Sequence, residues 1–180
     1  RGSKWAHKTT IPAFIDNDVN VMAMGELWRL HRKLPNFLVI KIGTGIGCGI
    51  VCNRMIYRGT NGSAGDVGHI CVDPAGERCH CGNQGCVEIM AAGPAIARQG
   101  AEAAKAGKSP QLAQVLATNG VITPEDVGQA SRGGDVAANA IIKLSGKLIG
   151  QMLAAVVNFF NPSHIFIAGG ISHIGPMFLA

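Results

Sequence analysis

Residues 65–88 read GDVGHICVDPAGERCHCGNQGCVE, and this stretch decides how the rest of the chain is read. It holds His69, then nine residues, Cys79, one residue, Cys81, four residues and Cys86. One imidazole and three thiols are a standard tetrahedral zinc set, and four protein ligands leave no open position for water. The spacing therefore predicts one structural Zn²⁺ bound by His69, Cys79, Cys81 and Cys86. Gly82, Asn83 and Gly85 lie inside the Cys81–Cys86 loop, where backbone freedom lets both sulfurs turn toward one ion. Cys71 and His80 are near enough in sequence to replace one of the four, and the plain alternative is a set of ordinary buried thiols. Residues 59–87 have almost no apolar periodicity, and a loop of that length inside a compact domain needs an organiser. A closed zinc site contributes on the order of 10–16 kcal/mol to ordering such a segment at neutral pH. Cys48 and Cys52 fall on a predicted strand and read as core thiols.

Outward from this loop, the patterns are regular. Upstream, residues 11–16 resemble the tail of a strand. A helix is predicted over 18–31, with Val19, Met22, Ala23, Leu27 and Leu30 on one face. Residues 37–42 read as a continuous apolar run suited to a buried strand. Residues 46–52 and 55–58 flank Asn53-Arg54 as a tight hairpin. Downstream, the pattern from Cys86 is helical, and Gly93-Pro94 restarts it, since proline suits a first helical turn. Thr123-Pro124-Glu125-Asp126 reads as an N-cap, an N1 proline and two acids that favour the helix dipole. A long helix is predicted over 135–160, roughly 39 Å at 1.5 Å per residue. Asn161-Pro162 stops it, and residues 164–168 form another buried strand ending at Gly169-Gly170. Strands alternating with helices indicate an α/β architecture. No internal repeat or low-complexity linker marks a second domain.

Bulk composition excludes several classes. Of 180 residues, 47% are apolar and 15% charged, which rules out a disordered segment. The 25 glycines fall in clusters rather than in a period, which excludes a collagen-like chain. The net charge of +5 is scattered; its densest group, Arg29, His31, Arg32 and Lys33, reads as a solvated helix end rather than a nucleic-acid patch. The aromatics (Phe 6, Trp 2, Tyr 1) do not interleave with basic residues as a strand-stacking surface would need. No membrane span is expected, because Gln151 and Asn158 interrupt the longest apolar stretch, at 148–160, below the roughly 20 residues a bilayer needs. Cysteines one residue apart can hardly pair, and no secretory signal is seen, so the chain is read as reduced and cytoplasmic. Arg1-Gly2-Ser3 is set aside from fold reasoning.

Residues 65–69, Gly-Asp-Val-Gly-His, followed by Cys79 through Glu88, resemble the signature of the ROK family of bacterial repressors, uncharacterised reading frames and sugar kinases. Three further segments fit in order. Asp16-Asn17-Asp18 through Gly25-Glu26 resembles the family's sugar and catalytic-base segment. Gly43-Thr44-Gly45-Ile46-Gly47 resembles its second phosphate loop, and residues 167–171 its adenosine segment. The resemblance implies an actin-like, ribonuclease H-like ATPase fold of two lobes and a cleft. In it, residues 1–16 would be the tail of the N-terminal lobe and 17–180 a truncated larger C-terminal lobe, with the zinc-binding loop at 66–88. Nothing before Ile11 resembles the family's Asp-rich glycine turn, and its closing helix is not found, so the chain is expected to be a fragment.

By the same resemblance, Asp18 would be the base that deprotonates a sugar hydroxyl. Asn17, Asp18, Asp66, His69 and Glu88 would surround the sugar. Gly43, Thr44, Gly45, Gly47, Gly169 and Gly170 would lie along the nucleotide. If one nitrogen of His69 binds zinc, the other has a fixed direction and can point at a sugar oxygen. Read from the residues alone, Asn17-Asp18 is a helix N-cap, and both uses are compatible. Asp66 stands where the family's kinases carry Glu, and Cys48 stands where they carry glycine, adding a side chain near the phosphate approach. Both departures resemble the repressors. The expectation is a sugar-binding effector domain of a transcriptional regulator, with DNA bound only through a segment outside these residues. The alternative is an ATP-dependent sugar kinase of glucokinase or hexokinase type using Mg²⁺ and ATP. A homodimer or higher homo-oligomer is expected, with no membrane partner.

Overall fold

The computed structural model describes residues 15–31, 33–175 and 178. Its centre is β1 (Phe37–Ile42), which pairs antiparallel with β2 (Ile46–Cys52) and parallel with β4 (His164–Ala168). With β3 (Met55–Tyr57) the sheet order is β3-β2-β1-β4. Alternation along a strand sends successive side chains to opposite faces. In β1, Leu38, Ile40 and Ile42 enter one apolar cluster, whereas Phe37 and Val39 enter another. The β2–β3 turn has φ 52° at Asn53 and 63° at Arg54, both positive as a two-residue hairpin of type I′ requires.

One face of the sheet is covered by α1 (Asp18–Arg29), which packs Ala23 and Leu27 beside Phe37, Val39 and Val51. Asn17 caps it by accepting from the Val19 N–H at 3.2 Å. The other face carries α2 (Val87–Ala91), α3 (Gly93–Lys105), α4 (Pro110–Asn119), α5 (Pro124–Arg132) and α6 (Val136–Phe160), around Ile96, Leu112, Val127, Ile142 and Met152. The expected α/β architecture is present. Thr123 closes a full capping box with Asp126. The helix α4 was not foreseen, although Ser109-Pro110 carries the same cap-and-proline signature as Thr123-Pro124: Ser109 Oγ accepts from the Leu112 N–H at 3.1 Å.

Three expectations need correction. The helix expected over 18–31 stops at Arg29, because the His31 backbone at φ 49° has left the helical region. The strand expected over 11–16 shows no strand at Ile15 and Asp16, and residues 11–14 lie outside the described part, as does Arg32 of the basic group. The helix α6 has 25 residues and is long and apolar enough to cross a bilayer by length and composition, so Gln151 and Asn158 do not shorten it as expected. In this fold one face of it packs into the core, through Ala138, Ile141, Ile142, Ser145, Leu148, Ile149 and Met152, while Val157 and Phe159 are exposed. The Ser145 hydroxyl donates to the Ala91 carbonyl at 2.8 Å, which ties α6 to α2.

Between β3 and α2 the chain forms no α-helix and no named strand. It has one 3₁₀ turn, Val67–His69, and two isolated bridges, Cys71 with Cys86 and Arg78 with Gln84. This is the segment that builds the site.

Candidate functional site

The bridge between Cys71 and Cys86 is made by Val72 N–H to the Gly85 carbonyl at 2.8 Å and Val87 N–H to the Ile70 carbonyl at 3.0 Å. It brings the turn ending in His69 against the start of α2. A second turn, in which Cys79 N–H donates to the Asn83 carbonyl at 2.8 Å, delivers Cys79 and Cys81 to the same place. The donor atoms of His69, Cys79, Cys81 and Cys86 all lie within 4.8 Å of one another. His69 Nδ1 is 3.7 Å from Cys79 Sγ, and Cys81 Sγ is 3.7 Å from Cys86 Sγ. Sulfurs bound tetrahedrally at about 2.3 Å from zinc sit about 3.8 Å apart, so the four donors surround a space that fits such an ion. Burial, followed by the neighbouring sulfurs, pushes the Cys86 thiol up, whereas the Asn83 N–H pulls Cys81 down. A dication removes the cost of gathering three thiolates in one place. Cys71 and His80 do not join the group, so neither substitution for an assigned ligand is needed.

The second nitrogen of His69, Nε2, faces Asp66 Oδ1 at 3.8 Å. The imidazole thus has two distinct sides, as expected, but the second meets a carboxylate and does not line the adjacent cavity. Asp66 does. That cavity, of about 360 Å³, also gathers Asn17 and Asp18 from the start of α1, Glu88 from α2, and Thr44, Gly45 and Gly47 from the β1–β2 turn. Four of the five expected sugar residues therefore converge. Glu88 Oε2 accepts from the Ile46 N–H at 2.9 Å, and Glu88 Oε1 lies 3.7 Å from His80 Nε2. A Cβ on Gly45 would fall 2.7 Å from Glu88 Oε2, so glycine at 45 is what lets this carboxylate lie on the turn. Gly65, at φ 96°, could carry no Cβ without entering the Cys48 carbonyl.

On the other side of the same turn, a second cleft of about 320 Å³ is lined by Gly43, Thr44, Gly93, Pro94, Pro124, Glu125, Gly170 and Ile171. The expected nucleotide residues are thus divided: Gly45 and Gly47 face the first cavity, Gly43 and Gly170 the second, and Thr44 both, while Gly169 precedes Gly170 at the end of β4. The Gly43 N–H already donates to the Gly45 carbonyl at 2.9 Å. Cys48 corrects an expectation. Its side chain lines neither space; it is buried, with Sγ 3.7 Å from the Gly49 carbonyl, beside an apolar groove of Leu38, Tyr57 and Phe159. Burial pushes this thiol up to about 12, as befits a core cysteine.

The residue that sequence reading missed is Lys41. It was counted inside an apolar strand, yet its Nζ donates to Asp18 Oδ2 in an ion pair at the mouth of the first cavity. A lysine in an otherwise buried strand must lead its ammonium to an anion or to water, and that was the available signal. The hydrogen bond from Lys41 is the main cause that holds the Asp18 carboxyl below the usual aspartate value. Behind it, Asp16 accepts from Asn20 Nδ2 at 2.9 Å, from the Asn17 N–H at 2.8 Å and from Arg58. These contacts fix the start of α1.

The chain is similar both to sugar kinases and to transcriptional regulators. The chain is 39% identical over 178 residues to a glucokinase of Halalkalibacterium halodurans, covering 98% of this chain and 54% of that protein. It is 32% identical over 170 residues to the DNA-binding transcriptional dual regulator NagC of Escherichia coli, covering 94% of this chain and 41% of that protein. Among solved structures, a ROK family transcriptional regulator homologous to the Escherichia coli MLC protein superposes with a TM-score of 0.83 at 36% identity, over 97% of this chain and 43% of that one. A ROK family glucokinase from Streptomyces griseus, in complex with glucose and AMPPNP, gives a TM-score of 0.82 at 31% identity, over 97% and 57%. The chain thus spans about half the length of these relatives, and its fold is the actin-like ATPase fold that they share. The ROK family model matches residues 3–180, and the chain belongs to the ROK family.

Proposed function

We propose that this chain is the sugar-binding part of the effector domain of a ROK transcriptional regulator. The observation that carries the reading is the Lys41–Asp18 ion pair. A general base must accept a proton from the attacking hydroxyl, and its efficiency depends on a pKa near the working pH. Lys41 stabilises the charged form of Asp18, lowers its basicity and occupies one of its oxygens. A carboxylate so held is a good hydrogen-bond acceptor for a sugar hydroxyl and a poor proton acceptor. In this reading Asn17, Asp18, Asp66 and Glu88 hold the sugar.

His69, Cys79, Cys81 and Cys86 hold a structural Zn²⁺ that supplies order and no chemistry at the sugar. The ion fixes Asp66 through the direction of His69, and it fixes Glu88 two residues beyond Cys86. Residues 17–180 belong to the larger lobe, with 1–16 entering from the smaller one. DNA contact comes from elsewhere in the protein, which works as a homo-oligomer in the cytoplasm without a membrane partner.

A second reading has its own support: Asp18 and the Gly43–Gly47 turn border one cavity, and the cleft at Gly170 lies on the turn's far side. This would suit a sugar kinase using Mg²⁺ and ATP. Incubating the intact protein with MgATP and a sugar panel separates the two. The regulator reading expects calorimetric sugar binding that Asp18→Asn weakens, with no ADP release. Turnover near the roughly 1–100 s⁻¹ of ordinary kinases, abolished by Asp18→Ala, would overturn it.

A further inference from the structure

We infer that the first cavity takes an uncharged or amine-bearing sugar and rejects the phosphorylated form of the same sugar. The inference rests on the sugar-binding reading and narrows it. Among the residues that line the cavity, Asp18, Asp66 and Glu88 supply three carboxylates, and Lys41 is the one ammonium. The chain as a whole is basic, at +5, so the acidity is local to the site.

Lys41 is already committed to Asp18. A phosphate that reached it would have to separate the pair, leaving Asp18 unpaired beside Asp66 and Glu88. Asp18 and Asp66 are exposed, so this like-charge repulsion acts through solvent and is screened by salt.

Several backbone donors near the cavity are committed as well. The Ile46 N–H donates to Glu88, the Gly43 N–H to the Gly45 carbonyl, and the Val19 N–H at the start of α1 to Asn17. A helix N-terminus attracts anions, but here Asp18 itself occupies the first turn of α1. Among the described residues, two imidazoles also face these carboxylates: His69 lies 3.8 Å from Asp66 and His80 lies 3.7 Å from Glu88. The lining thus sets three carboxylates against one committed ammonium, beside the neutral side chains of Asn17, Thr44 and Ser63. It suits hydroxyls and amines, which donate to carboxylates, and opposes a phosphate, which carries about 1.5–2 negative charges at pH 7.

The test is calorimetry on the intact protein at pH 7 and low salt, with glucose, N-acetylglucosamine and mannose, their 6-phosphates, glucosamine and mannosamine. For whichever neutral sugar binds, the 6-phosphate should bind at least tenfold more weakly and the amino form at least as tightly. Added salt should shrink the phosphate penalty by screening. Asp66→Asn, an exposed change at a side chain that makes no capping hydrogen bond, should reduce the penalty severalfold, and Lys41→Met should enlarge it. A 6-phosphate that binds as tightly as its sugar overturns the inference and leaves the regulator reading standing. So does a penalty that neither variant moves. Absence of all sugar binding overturns both, whereas ADP release overturns the regulator reading alone.

Discussion

The segment between β3 and α2 and the sheet-and-helix core are ordered by different physics. In the core, Phe37, Leu38, Ile40, Ile42, Ile142 and Met152 are essentially inaccessible to solvent, and each position is held by many weak contacts. In the loop, Cys81 and Asp66 are exposed, His69 is half-buried, and few apolar groups are available to pack. The segment has a handful of turns, and four side chains that could hold a metal ion aim at one point. Burial is distributed, so it tolerates small errors and tunes poorly. A metal centre is concentrated, so losing one ligand removes most of it. The loop is also where direction matters, because it aims Asp66 into the cavity and leads directly into Glu88 of α2.

The largest expected effect follows from that concentration. Cys79→Ala should abolish metal binding, a loss on the order of 10–16 kcal/mol in apparent affinity at neutral pH. Elemental analysis should fall from one zinc per chain to none. Hydrogen exchange should lose protection over 66–88 and keep it in β1 and β4. Unchanged zinc rejects Cys79 as a ligand, and equal loss of protection in β1 breaks the contrast between the two regions. The converse experiment is Ile142→Ala, which empties a fully buried site. It should cost about 2–5 kcal/mol in global stability by denaturant titration, with zinc content unchanged. A variant that lost zinc in the folded state would mean that the two regions are one cooperative unit.

Glu88→Gln probes the join between them. It removes a charge-assisted acceptor for the Ile46 N–H, worth about 1.5–3 kcal/mol, while leaving all four metal donors. Sugar affinity by calorimetry should fall at least tenfold with zinc retained; unaltered affinity removes Glu88 from the sugar site.

The smallest effect is electrostatic. The Asp18 carboxyl is held below its ordinary value of 3.8, mainly by the Lys41 hydrogen bond. Its folded pKa is therefore depressed, and the small stabilisation it gives is present above about pH 3.8 and lost as pH falls through the lower folded value. Carboxyl NMR should place its midpoint below 3.8 and move it upward in Lys41→Met. A midpoint indifferent to that substitution breaks the ion pair on which the regulator reading rests.

The core was largely legible in the sequence because burial leaves a period. The strands at 37–42, 46–52 and 164–168 appear where the apolar runs placed them, and α6 begins one residue after the expected start because Asp135 is its cap. Misreadings came where one residue broke the pattern. Lys41 was absorbed into an apolar run, although its alternation with Phe37 and Val39 puts it on the α1 side, beside Asp18. Cys48, read from its place on a strand as a core thiol, is one; its register on β2 turns it to the buried face, away from the phosphate approach that the family resemblance implied.

By itself, the sequence determined the elements, the four candidate metal donors and the family, because periodicity and ligand spacing are local properties that survive without coordinates. Only the tertiary structure decided that His69 meets Asp66, that Glu88 lies on the Gly45 turn, and that Lys41 neutralises Asp18. The last two pairs join residues on different elements, 42 positions apart for Glu88 and Ile46 and 23 for Lys41 and Asp18. Their meeting depends on strand register and helix packing, which no local pattern encodes.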